Sequence, residues 1–180
     1  MYSREEVKEL KRDFWNGFDE FCAKLPRFKY KHKKWILYNT KIKHVEMKFG
    51  AGRDGAYVIL ELNHKNPNKR AEKWELLKQY KVVIEEYFDE PVWQEYFVKE
   101  CGTPVSRIYK HKPDLDIHRR EDWHDFYVFL SKEMTKLEKA RIAINEADAQ
   151  IADGFEKRMH AAEDVIAHKM ENGLPIFDAA

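Results

Sequence analysis

Apolar residues recur at helical spacing close to the start of the chain. They follow one another at three- and four-residue steps: Val7, Leu10, Phe14, Phe18, Phe21 and Leu25. Residues at this spacing share one face of a helix. Ser3 followed by Glu6 is the capping-box pattern that begins many helices, and Pro26 cannot continue one. The pattern therefore predicts a first helix over about residues 4–24.

From residue 35 to residue 62 the apolar residues no longer recur at helical spacing but follow the two-residue period of strands, starting with the apolar run at 35–38. Apolar and polar residues alternate over 45–49, which is the period of a half-buried strand. A glycine-rich turn follows, after which an apolar run rich in strand formers resumes. We expect a hairpin with strands over about 43–50 and 56–63.

A second helix and a second pair of strands are predicted from the middle of the chain. Asn66 followed by Pro67 resembles an N-cap with proline at the first helical position, and a mostly apolar stripe follows it. The helix is expected over about 67–88. Short runs of strand formers over 92–99 and 105–110 flank a Gly-Thr-Pro turn and predict two antiparallel strands.

A third helix is predicted from Arg119 onward. Its apolar residues lie on one face: Trp123, Phe126, Tyr127, Leu130, Met134 and Leu137. The whole pattern predicts an α+β fold, an antiparallel sheet of four to five strands with an N-terminal helix, two packed helices and a C-terminal helical arm. We expect residues 1–137 to form the α+β domain and residues 138–180 to form the arm.

The predicted arm is rich in alanine and carries five basic against nine acidic residues. Its apolar residues recur at helical intervals: Ile144, Ala147, Ile151, Phe155, Ala162, Ile166 and Met170. A stripe this thin buries too little surface for the helix to be stable alone. The arm is therefore expected either to lie back on the domain or to pair with a second copy of itself, which would give a homo-oligomer.

Composition restricts the class of protein. A length of 180 residues suffices for one domain with a core, and 43% hydrophobic residues exclude a mostly disordered chain. The two cysteines, Cys22 and Cys101, cannot form a disulfide framework. No segment approaches the roughly 18 consecutive apolar residues of a membrane span. We expect a cytoplasmic protein with reduced thiols, no membrane contact and no cofactor.

Positive charge is concentrated between residues 24 and 48, although the net charge of the chain is only +1. This basic segment holds nine Lys and Arg residues and a single acid, Glu46. Aromatic residues are interleaved with them: Phe28, Tyr30, Trp35 and Tyr38. Clustered cations neutralise phosphates, and exposed aromatic rings stack on unpaired bases. The segment therefore predicts contact with nucleic acid or another polyanion.

The leading hypothesis is a non-enzymatic binding module. The expected nucleic-acid contacts are Lys29, Lys31, Lys33, Lys34, Lys41 and Lys43, with Tyr30 and Trp35 as stacking groups and Arg107 as an auxiliary cation. The alternative is that the lysines only solubilise a loop and protect an edge strand, while the aromatic residues belong to the core. Binding that weakens steeply with salt would favour the first interpretation.

The tripeptide Glu46-Met47-Lys48 spells the Glu-x-Lys of restriction-endonuclease-like nucleases. Such an enzyme needs a second carboxylate beside Glu46 to hold the Mg²⁺ that activates water. Asn39 and Thr40 stand where that acid is expected. The second hypothesis is a structural or interaction protein that self-associates through the C-terminal helix. A metal-dependent nuclease is the third hypothesis, and its alternative is that these are strand residues facing solvent.

Other polar clusters predict little chemistry. Asp116 and His118 would place two metal ligands near the third predicted helix, but an acid there also complements a helix start. Cys22 and Cys101 lack the His and Asn or Asp context of a catalytic thiol. We expect no catalytic residue and no metal site.

Several short motifs resemble one family. They are Asp13-Phe14-Trp15 with Phe18, Met47-Lys48-Phe49, Trp74 with Leu77, Ile84-Glu85, Trp93, Ser106-Arg107-Ile108-Tyr109, and Trp123 with Tyr127. Over about residues 3–137 the chain resembles the uncharacterised bacterial domain-of-unknown-function family 4268. The family has no assigned catalytic residues, so the resemblance implies none here. Some relatives look like modules attached to nuclease-like domains, which implies a nucleic-acid or defence context by association.

Overall fold

A computed structural model describes residues 3–26, 40 and 42–175 of the chain. The elements follow in the order α1 (Arg4–Lys24), β1 (Val45–Ala51), β2 (Ala56–Leu62), α2 (Pro67–Gln79), α3 (Lys81–Tyr87), β3 (Val92–Val98), β4 (Pro104–Lys112) and α4 (Trp123–Glu171). A short 3-10 turn over Arg120–Asp122 precedes α4. The chain divides into two compact units, Met1–Ala140 and Arg141–Ala180.

Helix α1 begins with the capping box that the sequence predicts. The Glu6 backbone N–H donates to the Ser3 hydroxyl at 3.2 Å, and the Ser3 N–H donates to the Glu6 carboxylate at 2.6 Å. These two bonds satisfy amides that have no partner inside the helix. The predicted first helix is confirmed, and it buries Phe14, Phe18 and Cys22.

The first unit contains a four-stranded antiparallel sheet in the order β1-β2-β4-β3. Leu60 of β2 lies opposite Met47 on one side and Ile108 on the other, and all three are buried. Burial of one sheet face against helices is what an α+β domain requires. The predicted fold class, the hairpin and the second strand pair are confirmed. The apolar run at 35–38 lies outside the described residues.

The single helix predicted over 67–88 is in fact two helices. They meet at Tyr80, where φ is −92° and ψ is 10°. On one straight helix, Trp74 and Ile84 would point about 80° apart around the axis. Both side chains are buried, together with Phe88 just beyond α3. The apolar pattern of the sequence continues across Tyr80 and therefore did not predict the break.

Helix α4 buries the apolar face that the sequence predicts for the third helix. Its buried apolar side chains within the first unit are Phe126, Tyr127, Leu130, Met134, Leu137 and Ala140. The ring of Phe126 meets that of Phe14 edge to face, with centroids 5.3 Å apart. The Tyr127 hydroxyl donates to the Phe14 carbonyl at 2.9 Å, so the one polar atom of this aromatic cluster has a partner.

A cluster of ion pairs connects β4, α4 and the turn that follows α3. Lys110 Nζ lies 3.0 Å from Asp89 Oδ2 and 3.0 Å from Glu133 Oε2, while Lys136 pairs with both acids. Hydrogen bonds from Lys136 and then Lys110 hold the pKa of Asp89 below its usual range. Glu133 is buried, so its charge requires these partners.

The second unit, Arg141–Ala180, is helical as far as Glu171. Large apolar side chains are exposed along it, including Ile151 at 71% and Phe155 at 64% of full exposure. Others are Met159, Val165, Ile166 and Met170. Among the described residues of both units, no helix is long and apolar enough to cross a membrane.

Candidate cationic groove

A groove of about 480 Å³ lies between the chain entering β1 and helix α2. We call it the cationic groove, and it is lined by Lys43, His44, His64, Lys69, Glu72, Lys73 and Leu76. The lining comes from three places: the turn before β1, the segment joining β2 to α2, and the first turns of α2. Residues more than twenty positions apart are thus brought together by the β1–β2 hairpin.

The turn before β1 is fixed by Thr40. Its buried hydroxyl accepts from the Ile42 N–H at 3.2 Å and donates to the Val45 carbonyl. His44 adopts a positive φ of 67° in this turn. Histidine is among the residues that enter this region more readily than most. The turn places Lys43 and His44 at the mouth of the groove.

The opposite wall is fixed by the start of α2. The Asn66 side chain accepts from the backbone N–H groups of Asn68 at 2.9 Å and Lys69 at 3.2 Å, which confirms the predicted N-cap. Arg70 is buried and donates to the His64 carbonyl at 2.9 Å, so the preceding segment is tied to the helix. Lys69 and Lys73 are four residues apart and therefore lie on the same side of α2.

Two imidazoles meet inside the groove. The ring centroids of His44 and His64 are 4.2 Å apart, with 62° between the ring planes. The Asn66 backbone N–H donates to His64 Nδ1 at 3.0 Å. Burial of the ring, and then the neighbouring His64 and Lys43, lower the pKa of His44. The lowered pKa favours the neutral form of the His44 ring.

The electrostatic balance of the groove is positive. Within the described ranges, Lys43, Lys69 and Lys73 form no ion pair, and Glu72 is the one acid in the lining. Lysine ammonium groups bind phosphate oxygens as point charges. The lining has no hydroxyl or thiol that could serve as a nucleophile. The arrangement can bind an anion.

The sequence prediction and the groove share Lys43, which is exposed on the groove rim. The remaining expected contacts in the basic segment lie outside the described residues: Lys29, Lys31, Lys33, Lys34, Trp35 and Lys41. Sequence reasoning missed His44, His64, Lys69 and Lys73. The available signal was Lys69 and Lys73 at a four-residue step behind a predicted N-cap.

Arg107 lies elsewhere, on β4, and does not line the groove. Its guanidinium carbon stands 3.4 Å from the Phe97 ring centroid and 4.5 Å from that of Tyr109. Its Nε donates to the Gln94 side chain at 2.7 Å. Stacking of this kind explains the position of Arg107 within the sheet. Its expected role as an auxiliary cation stays a prediction.

Glu46 and Lys48 belong to an ion network on the sheet. Lys48 Nζ lies 2.6 Å from Glu46 Oε2 and 2.7 Å from Glu61 Oε1, and Lys99 Nζ lies 3.0 Å from the same Glu61 oxygen. Burial lowers the pKa of the Lys48 ammonium, but its hydrogen bonds to Glu46 and Glu61 and the charges of these two acids together raise it above its ordinary value. That ammonium fills the space between two neighbouring carboxylates, where a nuclease would need Mg²⁺. The geometry therefore favours an ion-pair network over a Mg²⁺ site at Glu46.

Asp116 and His118 form a local turn. The Asp116 carboxylate accepts from the His118 backbone N–H at 2.9 Å, and the Asp122 carboxylate accepts from the Asp116 N–H at 2.8 Å. These bonds order the backbone that leads into α4. Over residues 3–26, 40 and 42–175, no group of three or more His, Cys, Asp or Glu side chains could hold a metal ion.

The structure shows an α+β domain with a groove lined mainly by basic side chains. Comparison with family profiles shows which domain this is. The family described as Domain of unknown function (DUF4268) matches residues 10–145, and the chain belongs to that family. The resemblance predicted from the sequence is confirmed.

A second profile matches only the end of the chain. Residues 140–180 are similar to the family described as Chorismate mutase type II. This match covers nearly the same residues as the second compact unit. No curated protein and no solved structure matches the chain.

Proposed function

We propose that this protein binds nucleic acid through the phosphate backbone, using the cationic groove and the basic segment that leads into it. The observation that carries the proposal is the convergence of Lys43, Lys69 and Lys73 on one concave surface. Lysines that serve only for solubility have no reason to converge. Cations that contact phosphates release counterions from the nucleic acid, and this release drives binding.

The basic segment and the groove support one another because they share Lys43. The segment over residues 24–48 carries nine basic residues and one acid. Lys69 and Lys73 of α2 extend the positive charge onto a second element. A backbone-directed surface of this kind predicts affinity with little base specificity. Tyr30 and Trp35 would add stacking if they meet unpaired bases.

The proposal is tested by binding a fluorescein-labelled 15-nucleotide oligo-dT, followed by fluorescence anisotropy. The combined variant Lys43→Glu, Lys69→Glu, Lys73→Glu should weaken binding at least about tenfold, because three attractive phosphate contacts become repulsive. A matched control reverses three exposed charges on α1: Lys8→Glu, Lys11→Glu and Arg12→Glu. It changes the net charge equally and should retain most of the affinity.

A second variant separates the segment from the groove. Lys31→Glu, Lys33→Glu, Lys34→Glu should weaken binding further when combined with the groove variant. Equal affinity in the wild type, the groove variant and this variant would contradict the proposal. So would equal losses in the groove variant and the α1 control, since that result would report net charge alone.

The second unit supports a separate candidate function. We propose that it self-associates through one face of its helix, and that the assembled helices act on chorismate, the substrate stated in the name of the family to which it is similar. Five apolar residues fall within about 60° around a helix of 3.6 residues per turn: Ile144, Ile151, Phe155, Ala162 and Ile166. Exposed apolar side chains on one helix face are typical of helix pairing.

Arg158 and Lys169 fall on the same side of the helix as that stripe when 100° is assigned to each residue. Cationic side chains on an association face would suit an anionic ligand held between helices. Chorismate, the substrate that the family name states, is such an anion. The similarity therefore suggests a substrate for the assembled helices.

This candidate is tested on the full chain by light scattering. Phe155→Asp with Ile166→Asp should convert a dimer or larger species into a monomer, because each places a charge in the apolar contact. Ile142→Asp is the matched control, since Ile142 lies on the opposite side of the helix. A wild-type monomer at 100 µM would contradict self-association, and unchanged chorismate absorbance at high protein concentration would contradict mutase activity.

A further inference from the structure

The two histidines of the cationic groove are not equivalent. The Asn66 backbone N–H donates to His64 Nδ1, and a backbone N–H can only donate. His64 Nδ1 is therefore an acceptor and carries no proton. Protonation there would remove the bond that helps to position the α2 N-cap. No comparable backbone bond restricts the ring of His44 among the described residues.

His44 faces charged groups from each wall of the groove. Its electrostatic neighbours are Lys43 in the same turn, His64 before α2 and Lys73 on α2, and the Asn63 side chain is a hydrogen-bond partner. Lys69 and Glu72 complete the charged lining. Four of these five ionisable neighbours are basic or become cationic when protonated. A positive charge on His44 is therefore opposed while no anion is bound in the groove.

We propose that the cationic groove takes up one proton on His44 when it binds a phosphate group, so that affinity for nucleic acid rises as pH falls. This inference rests on the proposed function, because it assigns a regulation to the same site. The phosphodiester is unchanged in the step. One proton passes from solvent to the His44 ring, and the imidazolium formed pairs with the bound phosphate.

The direction of the pH dependence follows from linkage. Without ligand, burial and nearby positive charge hold the pKa of His44 below its ordinary value. A bound phosphate neutralises Lys43 and Lys73 and adds negative charge, so it raises the pKa of His44. Between these two pKa values, binding requires proton uptake, and the affinity can change by up to about tenfold per pH unit. Outside that interval the contribution of His44 to the pH dependence disappears.

The test measures the dissociation constant of labelled 15-nucleotide oligo-dT at pH 5.5, 6.5, 7.5 and 8.5 and fixed ionic strength. The wild type should bind at least about threefold more tightly at pH 5.5 than at pH 7.5. His44→Asn should lose most of that change, because asparagine also tolerates positive φ but does not titrate. His160→Asn, an exposed histidine outside the groove, should follow the wild type.

A second measurement does not depend on a variant. An NMR titration of the His44 ring should show a higher pKa with the oligonucleotide than without it. Binding with the same pH dependence in the wild type and His44→Asn, or an unshifted His44 titration, overturns proton uptake and leaves the groove proposal intact. Absence of oligonucleotide binding at every pH overturns the proposed function itself.

Discussion

Gly17 shows how one atom limits the packing between α1 and α4. A Cβ added at Gly17 would lie 2.5 Å from the Tyr127 hydroxyl oxygen. That hydroxyl is held by its bond to the Phe14 carbonyl, and burial raises the pKa of Tyr127 to about 12. The hydroxyl can move away from an added Cβ only by weakening this bond. Glycine is required here for close approach.

Gly17→Ala should therefore lower the free energy of unfolding by about 1–3 kcal/mol through overpacking. Tyr127→Phe should cost about 1 kcal/mol by leaving the Phe14 carbonyl without this partner. The double variant should be less destabilised than the sum, because removing the hydroxyl relieves the clash. Urea unfolding of the four proteins measures this coupling, and strict additivity would contradict the described contact.

The contribution of Asp89 to the free energy of unfolding should depend on pH. Its pKa is lowered in the folded state by Lys136 and Lys110, so its contribution to stability is complete above the ordinary carboxyl pKa and is lost as pH falls through the lowered value. Asp89 is 57% exposed, so the contribution at pH 7 should be no more than about 1 kcal/mol.

Thermal unfolding of wild type and Asp89→Asn checks this expectation. Asp89→Asn should have a lower Tm at pH 7, and the difference should shrink below about pH 4. Glu86→Gln removes a nearby exposed charge of α3 and should change Tm little at either pH. A Tm difference for Asp89→Asn that grows on acidification would have the wrong sign for this cluster.

At the scale of elements, local sequence signals predicted most of the fold. The capping box at Ser3 and Glu6 and the N-cap at Asn66 determine helix starts through bonds to nearby amides, so they can be read without tertiary information. The break at Tyr80 could not be read in this way. The apolar spacing from Trp74 to Ile84 continues across Tyr80 and carries no signal of a break.

The N-cap of α2 also supports the groove. Asn66→Ala should cost about 1 kcal/mol of stability, because the amides of Asn68 and Lys69 lose their acceptor. Asn66→Asp should retain most of the stability, since aspartate accepts the same bonds. Asn68→Ala is the control, because the contact there is made by its backbone. Chemical unfolding that ranks Asn66→Asp below Asn66→Ala would contradict the cap geometry.

At the scale of the whole molecule, the sequence located a concentration of charge, whereas the structure shows a concave surface. Lys43 belongs to a visible run of basic residues. His64, Lys69 and Lys73 do not, because they reach Lys43 only through the hairpin and the capped start of α2. A site assembled from distant segments has no signature along the chain. The four-residue step of Lys69 and Lys73 behind the N-cap could be read from the sequence, but its proximity to Lys43 could not.

The measurement that tests the central claim most directly is the salt dependence of oligo-dT binding. For single-stranded nucleic acid, the logarithm of the affinity falls with the logarithm of salt concentration by about 0.7 for each phosphate neutralised. The combined variant Lys43→Gln, Lys69→Gln, Lys73→Gln should therefore have a slope smaller than that of the wild type by about 2. Equal slopes in the two proteins would show that the cationic groove does not contact phosphate.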